Sequence, residues 1–255
     1  MLNSTSVPPK DRSHRSPKTT PGTTSLIGNI GRGLRETDTC RSLCLKVWNE
    51  ESLAEILWHE ICSEYDARRF AQHIHHSEIV LSGEFLRFEK AWLRDENAHY
   101  IGFRYLYSMM YGIPIFEIAK SVRQRVSGFS ELARFITDEF RVCVLLAYDE
   151  MVTARAYAAD FPIYDSLGDD NLSQWIRKVC REEIRHCLAM VELLRLRYPL
   201  RLSEIQSSID ELARYDSRSA DYTGTFVLDH QHFPPELLER ARGAVADLSS
   251  APFHP

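Results

Sequence analysis

The chain has 255 residues, 44% of them hydrophobic, and a formal net charge of −5. That is enough apolar mass for one sizeable core, while the mild acidity gives no case for nucleic-acid binding. The most apolar run, Val142 to Tyr148, is far too short to span a bilayer, and no secretory signal pattern is present. The six cysteines, Cys40, Cys44, Cys62, Cys143, Cys180 and Cys187, form no C-x-x-C pair. A reduced, cytoplasmic protein without a built-in iron–sulfur or rubredoxin-type module is expected.

Residues 1–45 are rich in Ser, Thr and Pro with scattered Lys and Arg. Such a segment buries too little apolar surface to offset its ordering entropy and reads as a disordered tail, with an organelle-targeting peptide as the alternative. From Val47 the period becomes helical, and the rest of the chain reads as one domain with a core over 52–200 and a helical cap over 201–255. A first helix is expected from about Ser52 to His76, with Leu53, Leu57, Ile61, Ala67, Ala71 and Ile74 on one stripe. Ser82 would cap a second helix over Gly83 to Tyr111, with Phe85, Trp92, Phe103, Tyr107 and Met110 inward and Gly112 as its stop. Pro114 opens a shorter helix ending at Gly128. A third long helix is expected from about Glu131 to Ala159, halted by Phe161-Pro162, and a fourth from a cap at Asp170 or Asn171 to about Arg197. One or two short helices follow, one in PPELLERARGAVADL. No segment alternates as a strand, so the class is all-α, with four long helices and a helical connection between the second and third.

Within this frame DENAHY places Glu96 three residues before His99, and REEIRH repeats the spacing with Glu183 and His186. With 21 Glu and 10 His in the chain, chance supplies about one such pair, so two inside long amphipathic helices carry weight. An i, i+3 pair lies on one helical face one turn apart, so both members can address a common object. The third helix adds Glu150, on the face of Cys143, Leu146, Thr153, Ala154 and Tyr157. Folding the last two long helices about Leu167-Gly168 brings Glu150 level with Glu183 and His186. The same mirror about Val80 reflects Glu96 and His99 onto residue 62, bracketed by Glu60 and Glu64, of which Glu64 lies nearer the stripe's centre. One Glu from each of two helices and Glu-x-x-His from each of the other two is the donor set of di-iron and di-manganese carboxylate bundles. Carboxylates bridge two cations and neutralise their charge, and imidazole suits iron. Without metal, four buried Glu would repel one another and their pKa values would rise.

Each residue also has a plainer reading. Glu150 would pair with Arg134 or Arg155, His99 would be a satisfied core histidine, and Glu60 or Glu64 would be solvated on a rotated helix. His73, His75 and His76 read as a solvated helix end, and Asp229 to His232 (DHQH) as a lone loop with a metal clip as the minor alternative. Glu182, with Arg185 at i+3, reads as outward-facing. Tyr107, Tyr148 and Tyr157 are near enough to be redox-active but read as core, and Trp92, Phe103, Met110, Tyr157 and Met190 are candidates to line a substrate channel.

Over residues 55–200 the chain resembles the ferritin-like di-iron oxidases, and among them the soluble acyl-carrier-protein desaturases. The resemblance rests on AWLRDENAHYIGFRYLY, on DEMVTARAY around Glu150, and on EEIRH, with 54 residues from Glu96 to Glu150 and 33 from Glu150 to Glu183. It implies a ferritin-like four-helix bundle holding two iron ions, with manganese as the alternative, and makes Glu96, His99, Glu150, Glu183 and His186 ligands. It further implies oxidation of a small organic or acyl substrate by O2 in the manner of a desaturase or monooxygenase. Electrons would come from an external, ferredoxin-type donor, an acyl group would be presented by a carrier protein, and the chain would be a monomer or homodimer. The alternatives are the aldehyde-deformylating and N-oxygenase branches and, in a different class, a ferroxidase or iron store.

Overall fold

The computed structural model describes residues 50–218, 224–230 and 233–250. The tail of residues 1–45, Cys40, Cys44 and His232 lie outside them. The described residues form α1 (Glu50–His76), α2 (Gly83–Tyr111), α3 (Ile115–Gln124), α4 (Glu139–Ser166), α5 (Asp170–Arg197), α6 (Ile205–Asp216) and α7 (Pro235–Ser250). Short 3₁₀ turns occupy Ser130–Phe135 and Pro199–Glu204, and no strand occurs among the described residues. No described helix is long and apolar enough to cross a membrane.

The short links between α1 and α2 and between α4 and α5 make each pair antiparallel neighbours. Ser82 caps α2 as expected, its hydroxyl accepting from Phe85 N, and Gly112 ends the helix with φ 67°. Only a residue without Cβ takes that left-handed turn at no cost. Midway along α2, a Cβ on Gly102 would stand 2.2 Å from the Trp175 ring of α5. The missing side chain is what lets these two helices approach so closely.

Four boundaries differ from the sequence expectation. The third long helix begins at Glu139, not Glu131, because the Asp138 carboxylate accepts from Arg141 N and caps it there; residues 130–135 form a separate turn. The same helix passes through Pro162 to Ser166. Proline removes one helical hydrogen bond, but Ile163 and Tyr164 are buried beyond it, and their packing outweighs that loss. Asp169, not Asp170 or Asn171, caps α5 by accepting from Asn171 N and Leu172 N. The helix opened by Pro114 also stops earlier, at Gln124.

The apolar interior falls into two clusters. One gathers Ala67–Ile74 of α1, Phe85 and Trp92 of α2, the first half of α4, the second half of α5, and α6 and α7. The other gathers Leu53–Cys62 of α1, Tyr100–Tyr107 of α2, Ala154–Tyr164 of α4, Leu172–Cys180 of α5, and α3. Between them, at one height in all four long helices, lies a belt of buried polar side chains. Cys62, Cys143, Cys180 and Cys187 are buried and unpaired.

Candidate metal centre

The belt is made of Glu64 from α1, Glu96 and His99 from α2, Glu150 from α4, and Glu183 and His186 from α5, and none is more than 5% exposed. These are the six residues singled out by spacing. They fall into two overlapping groups, Glu64, Glu96, His99 and Glu183, and Glu96, Glu150, Glu183 and His186. Within each group one donor atom per residue lies within 4.8 Å of the others, and either group could hold a metal ion. Glu96 and Glu183 belong to both.

The imidazoles turn Nδ1 inward. His99 Nδ1 is 3.3 Å from Glu64 Oε2 and 3.1 Å from Glu183 Oε1. His186 Nδ1 is 3.3 Å from Glu96 Oε1, 3.1 Å from Glu150 Oε2 and 2.9 Å from Glu183 Oε2. Glu64 Oε2, Glu96 Oε1, His99 Nδ1 and Glu183 Oε1 are buried without a hydrogen-bond partner. A buried polar atom left unpaired costs about 1–3 kcal/mol, and here four converge on one spot. A cation accepts all of them at once, so these four residues fit a bound metal ion.

Protons are the other means of balancing this charge. Burial pushes the Glu96 carboxyl well up, and the Glu183, Glu64 and Glu150 carboxylates push it further. Burial likewise lifts Glu150 to about 8, against the pull of His186. For His186 burial works downward, but the Glu150 and Glu183 carboxylates outweigh it and raise the imidazole to about 10. His99 also rises, because Glu64 and Glu183 outweigh its burial. Burial would raise Glu183, yet His99 and His186 hold it far below the usual carboxylate range.

Comparison of the chain with protein-family models, curated proteins and solved structures returns no match. The reading of the site therefore rests on its own geometry.

Around the six donors stands a second layer. Trp92 Nε1 donates to Glu150 Oε1 at 2.7 Å. Glu150 is thereby paired with Trp92 and His186, not with Arg134, which lies over the Phe135 and Tyr215 rings. Tyr157 OH is 2.7 Å from Glu64 Oε1 and 2.8 Å from Glu60 Oε2. The phenol thus stands between the two carboxyls. Burial pushes the Glu60 carboxyl up to about 8, against the pull of His59 and of the Tyr157 hydrogen bond. Glu60 belongs to neither metal-holding group, so of the two bracketing acids it is Glu64 that joins the cluster.

Glu182 corrects the sequence reading. It is buried, not outward-facing, and its Oε2 pairs with His99 Nε2 at 3.1 Å. Lys178 and Arg185 of the same helix hold it from outside. Burial would raise its carboxyl, but the His99 and Lys178 hydrogen bonds bring it to about 2. Arg185 at i+3 is a true partner; what its spacing concealed is that Glu182 flanks the α2–α5 seam, where His99 reaches it. On the other imidazole, His186 Nε2 stands 3.5 Å from Asp95 Oδ2. Asp229 and His230 of DHQH lie in a loop as expected, but both are buried and the stretch does not stand alone, since Asp149 lies beside them. His75 and His76 are exposed at the end of α1 as expected.

Of the five channel candidates, Trp92 and Tyr157 hold site carboxylates. Phe103 stacks on Tyr157, Met190 is fully buried in the first cluster, and Met110 packs against the second.

Proposed function

We propose that the chain is a non-haem di-iron oxidoreductase on a ferritin-like four-helix bundle, with α3 as part of the crossover between α2 and α4. The observation that carries this reading is the pair of overlapping donor groups sharing Glu96 and Glu183. Two ions with shared carboxylates and one imidazole each suit iron, with manganese as the alternative. Held by these residues, a ferrous pair would supply electrons to dioxygen for oxidation of a small organic or acyl substrate.

The chain's own residues supply the rest. Glu64, Glu96, His99 and Glu183 would hold one ion, and Glu96, Glu150, Glu183 and His186 the other. Glu182 fixes the ring plane of His99, and Trp92 and Tyr157 fix the outer oxygens of Glu150 and Glu64. The apolar clusters on both sides keep bulk water away and lower the local dielectric, which strengthens each of these contacts. The desaturase-like motifs favour an acyl substrate, a carrier protein and a ferredoxin-type donor as partners.

The test is oxygen uptake by protein reconstituted anaerobically with ferrous iron, using a chemical reductant. Fatty acyl, aldehyde and aryl-amine compounds are added in turn, with particle size followed by gel filtration. Substrate-triggered oxygen consumption by a monomer or dimer is expected. A large hollow oligomer accumulating many irons per chain would establish an iron store instead, and wild-type protein that takes up no iron would remove the metal reading.

A further inference from the structure

Consecutive residues on a helix point about 100° apart. While Glu150 faces the bundle centre, Asp149 faces the segment 224–230 that links α6 to α7. That segment is folded inward, with Thr225 through His230 all buried. Val227 and Leu228 take φ of 55° and 57°, a conformation unusual for side chains of that shape. In it Leu228 N donates to Asp149 Oδ1 and His230 N donates to Asp216 Oδ1, each at 2.9 Å. Asp229 and His230 are thereby aimed at α4.

Asp149, Asp229 and His230 then present donor atoms all within 4.8 Å of one another. His230 Nδ1 is 3.0 Å from Asp216 Oδ2, which also accepts from Tyr148 OH. An imidazole that donates from Nδ1 to a carboxylate keeps its Nε2 lone pair for another partner, the usual posture of a metal-bound histidine. Here Nε2 stands 3.6 Å from Asp229 Oδ1. That is too long for a hydrogen bond and close to the roughly 3.4 Å between two ligands about 2.1 Å from one tetrahedral ion. Asp149, Asp216 and Asp229 are each at most 4% exposed. The partly exposed His59 stands 3.2 Å from Asp229 Oδ2.

We propose that Asp149, Asp229 and His230 form a second, mononuclear cation site, with Asp216 as the residue that orients His230. Two carboxylates and an imidazole select a first-row divalent ion such as zinc, manganese or iron; calcium requires more oxygen donors than are present. The site shares no donor with the bundle centre and does not depend on what that centre does. Its role is to pin the segment between α6 and α7 onto α4, one residue from Glu150.

Co2+ is the probe, since imidazole-bound Co2+ is visible and can be counted. The full chain, loaded and desalted, should hold three equivalents, falling to two in Asp229→Asn and in His230→Gln. The double variant Glu96→Ala/Glu183→Ala should keep one. If the bundle centre bound nothing, that double variant would match wild type while Asp229→Asn still lost one equivalent, so the two readings fail separately. Should either buried substitution unfold the chain by circular dichroism, Asp149→Asn gives the same readout. Folded wild-type protein holding no more Co2+ than the double variant removes would overturn the site.

Discussion

His99 and His186 each close an i, i+3 pair with a glutamate and each turn Nδ1 to the same small space, but their outer nitrogens meet different neighbours. His99 Nε2 is bonded to Glu182, which is held in turn by Lys178 and Arg185. His186 Nε2 lies 3.5 Å from Asp95 and has no hydrogen-bond partner. Asp95 is tied to the exposed Arg94 next to it in sequence. Identical spacing therefore yields one imidazole whose outer nitrogen is locked by a chain of charged hydrogen bonds and one held through Nδ1 by Glu150 and Glu183, its outer nitrogen unbonded and its ring edge-on to Phe88. Preorganisation of a ligand lowers the entropy lost on binding. The Glu64/His99 position should accordingly fill first and hold its ion more tightly than the Glu150/His186 position.

The largest effect should come from breaking what the halves have in common. Glu183 touches both imidazoles, at 3.1 Å and 2.9 Å. Glu183→Ala should therefore empty both positions, whereas Glu64→Ala and Glu150→Ala should each empty one. Iron content per chain after ferrous reconstitution distinguishes the cases. With the Asp149/Asp229/His230 site removed by Asp229→Asn in the same chain, retention of one full equivalent in Glu183→Ala would mean that the two positions are independent sites that merely adjoin.

Removing metal should expose a pH dependence. Glu150 is raised to about 8 from an ordinary 4.5. The folded chain thus holds a proton there that the unfolded chain has released, and stability falls as pH rises from about 4.5 through 8. His186 is raised to about 10 from 6.5; its contribution is complete below 6.5 and is lost as pH rises through 10. Both act in one direction, each by up to about 1.4 kcal/mol per pH unit within its window. Chelator-treated protein should melt progressively lower from pH 6 to pH 9. Loaded protein should hold its melting temperature, because metal replaces those protons and binds better as they leave. Parallel melting curves with and without metal would refute this account of the charge balance.

The spacing of Glu96, His99, Glu183 and His186 was legible because an i, i+3 pair has one geometric meaning on any helix. Their height relative to Glu64 and Glu150 followed from loops short enough to force antiparallel pairs. The limits of α4 were not legible in the same way. Its start depends on which acid caps it, and its passage through Pro162 depends on burial of Ile163 and Tyr164 against other helices. Glu182 was misplaced because the neighbours on its own helix are real, and nothing local reveals a partner 83 residues away. The Asp149, Asp216 and His230 cluster gathers residues from α4, from the end of α6 and from the segment beyond it, and no spacing rule connects them.

The smallest and most direct test compares the two outer partners. Glu182→Gln keeps the shape and a hydrogen-bond acceptor but removes the charge that opposes His99. Loss of such an outer partner typically weakens a metal site about 10- to 100-fold. Here the charge is also what holds Lys178 and Arg185 in place, so the effect should fall within that range. Asp95→Asn removes a charge 3.5 Å from His186, without an aligned hydrogen bond and in contact with water on its Arg94 side. Asp95 is partly open to solvent, which screens its charge from the buried His186. Its effect on affinity should be fivefold or less. Competitive titration against a chelator measures both, and only the Glu64/His99 position should respond to Glu182→Gln. Equal losses in the two variants would show that the imidazoles are held alike, whatever their different outer contacts. A larger loss in Asp95→Asn would mean that metal binding draws Asp95 onto Nε2 and builds on the His186 side the clamp that the His99 side already has.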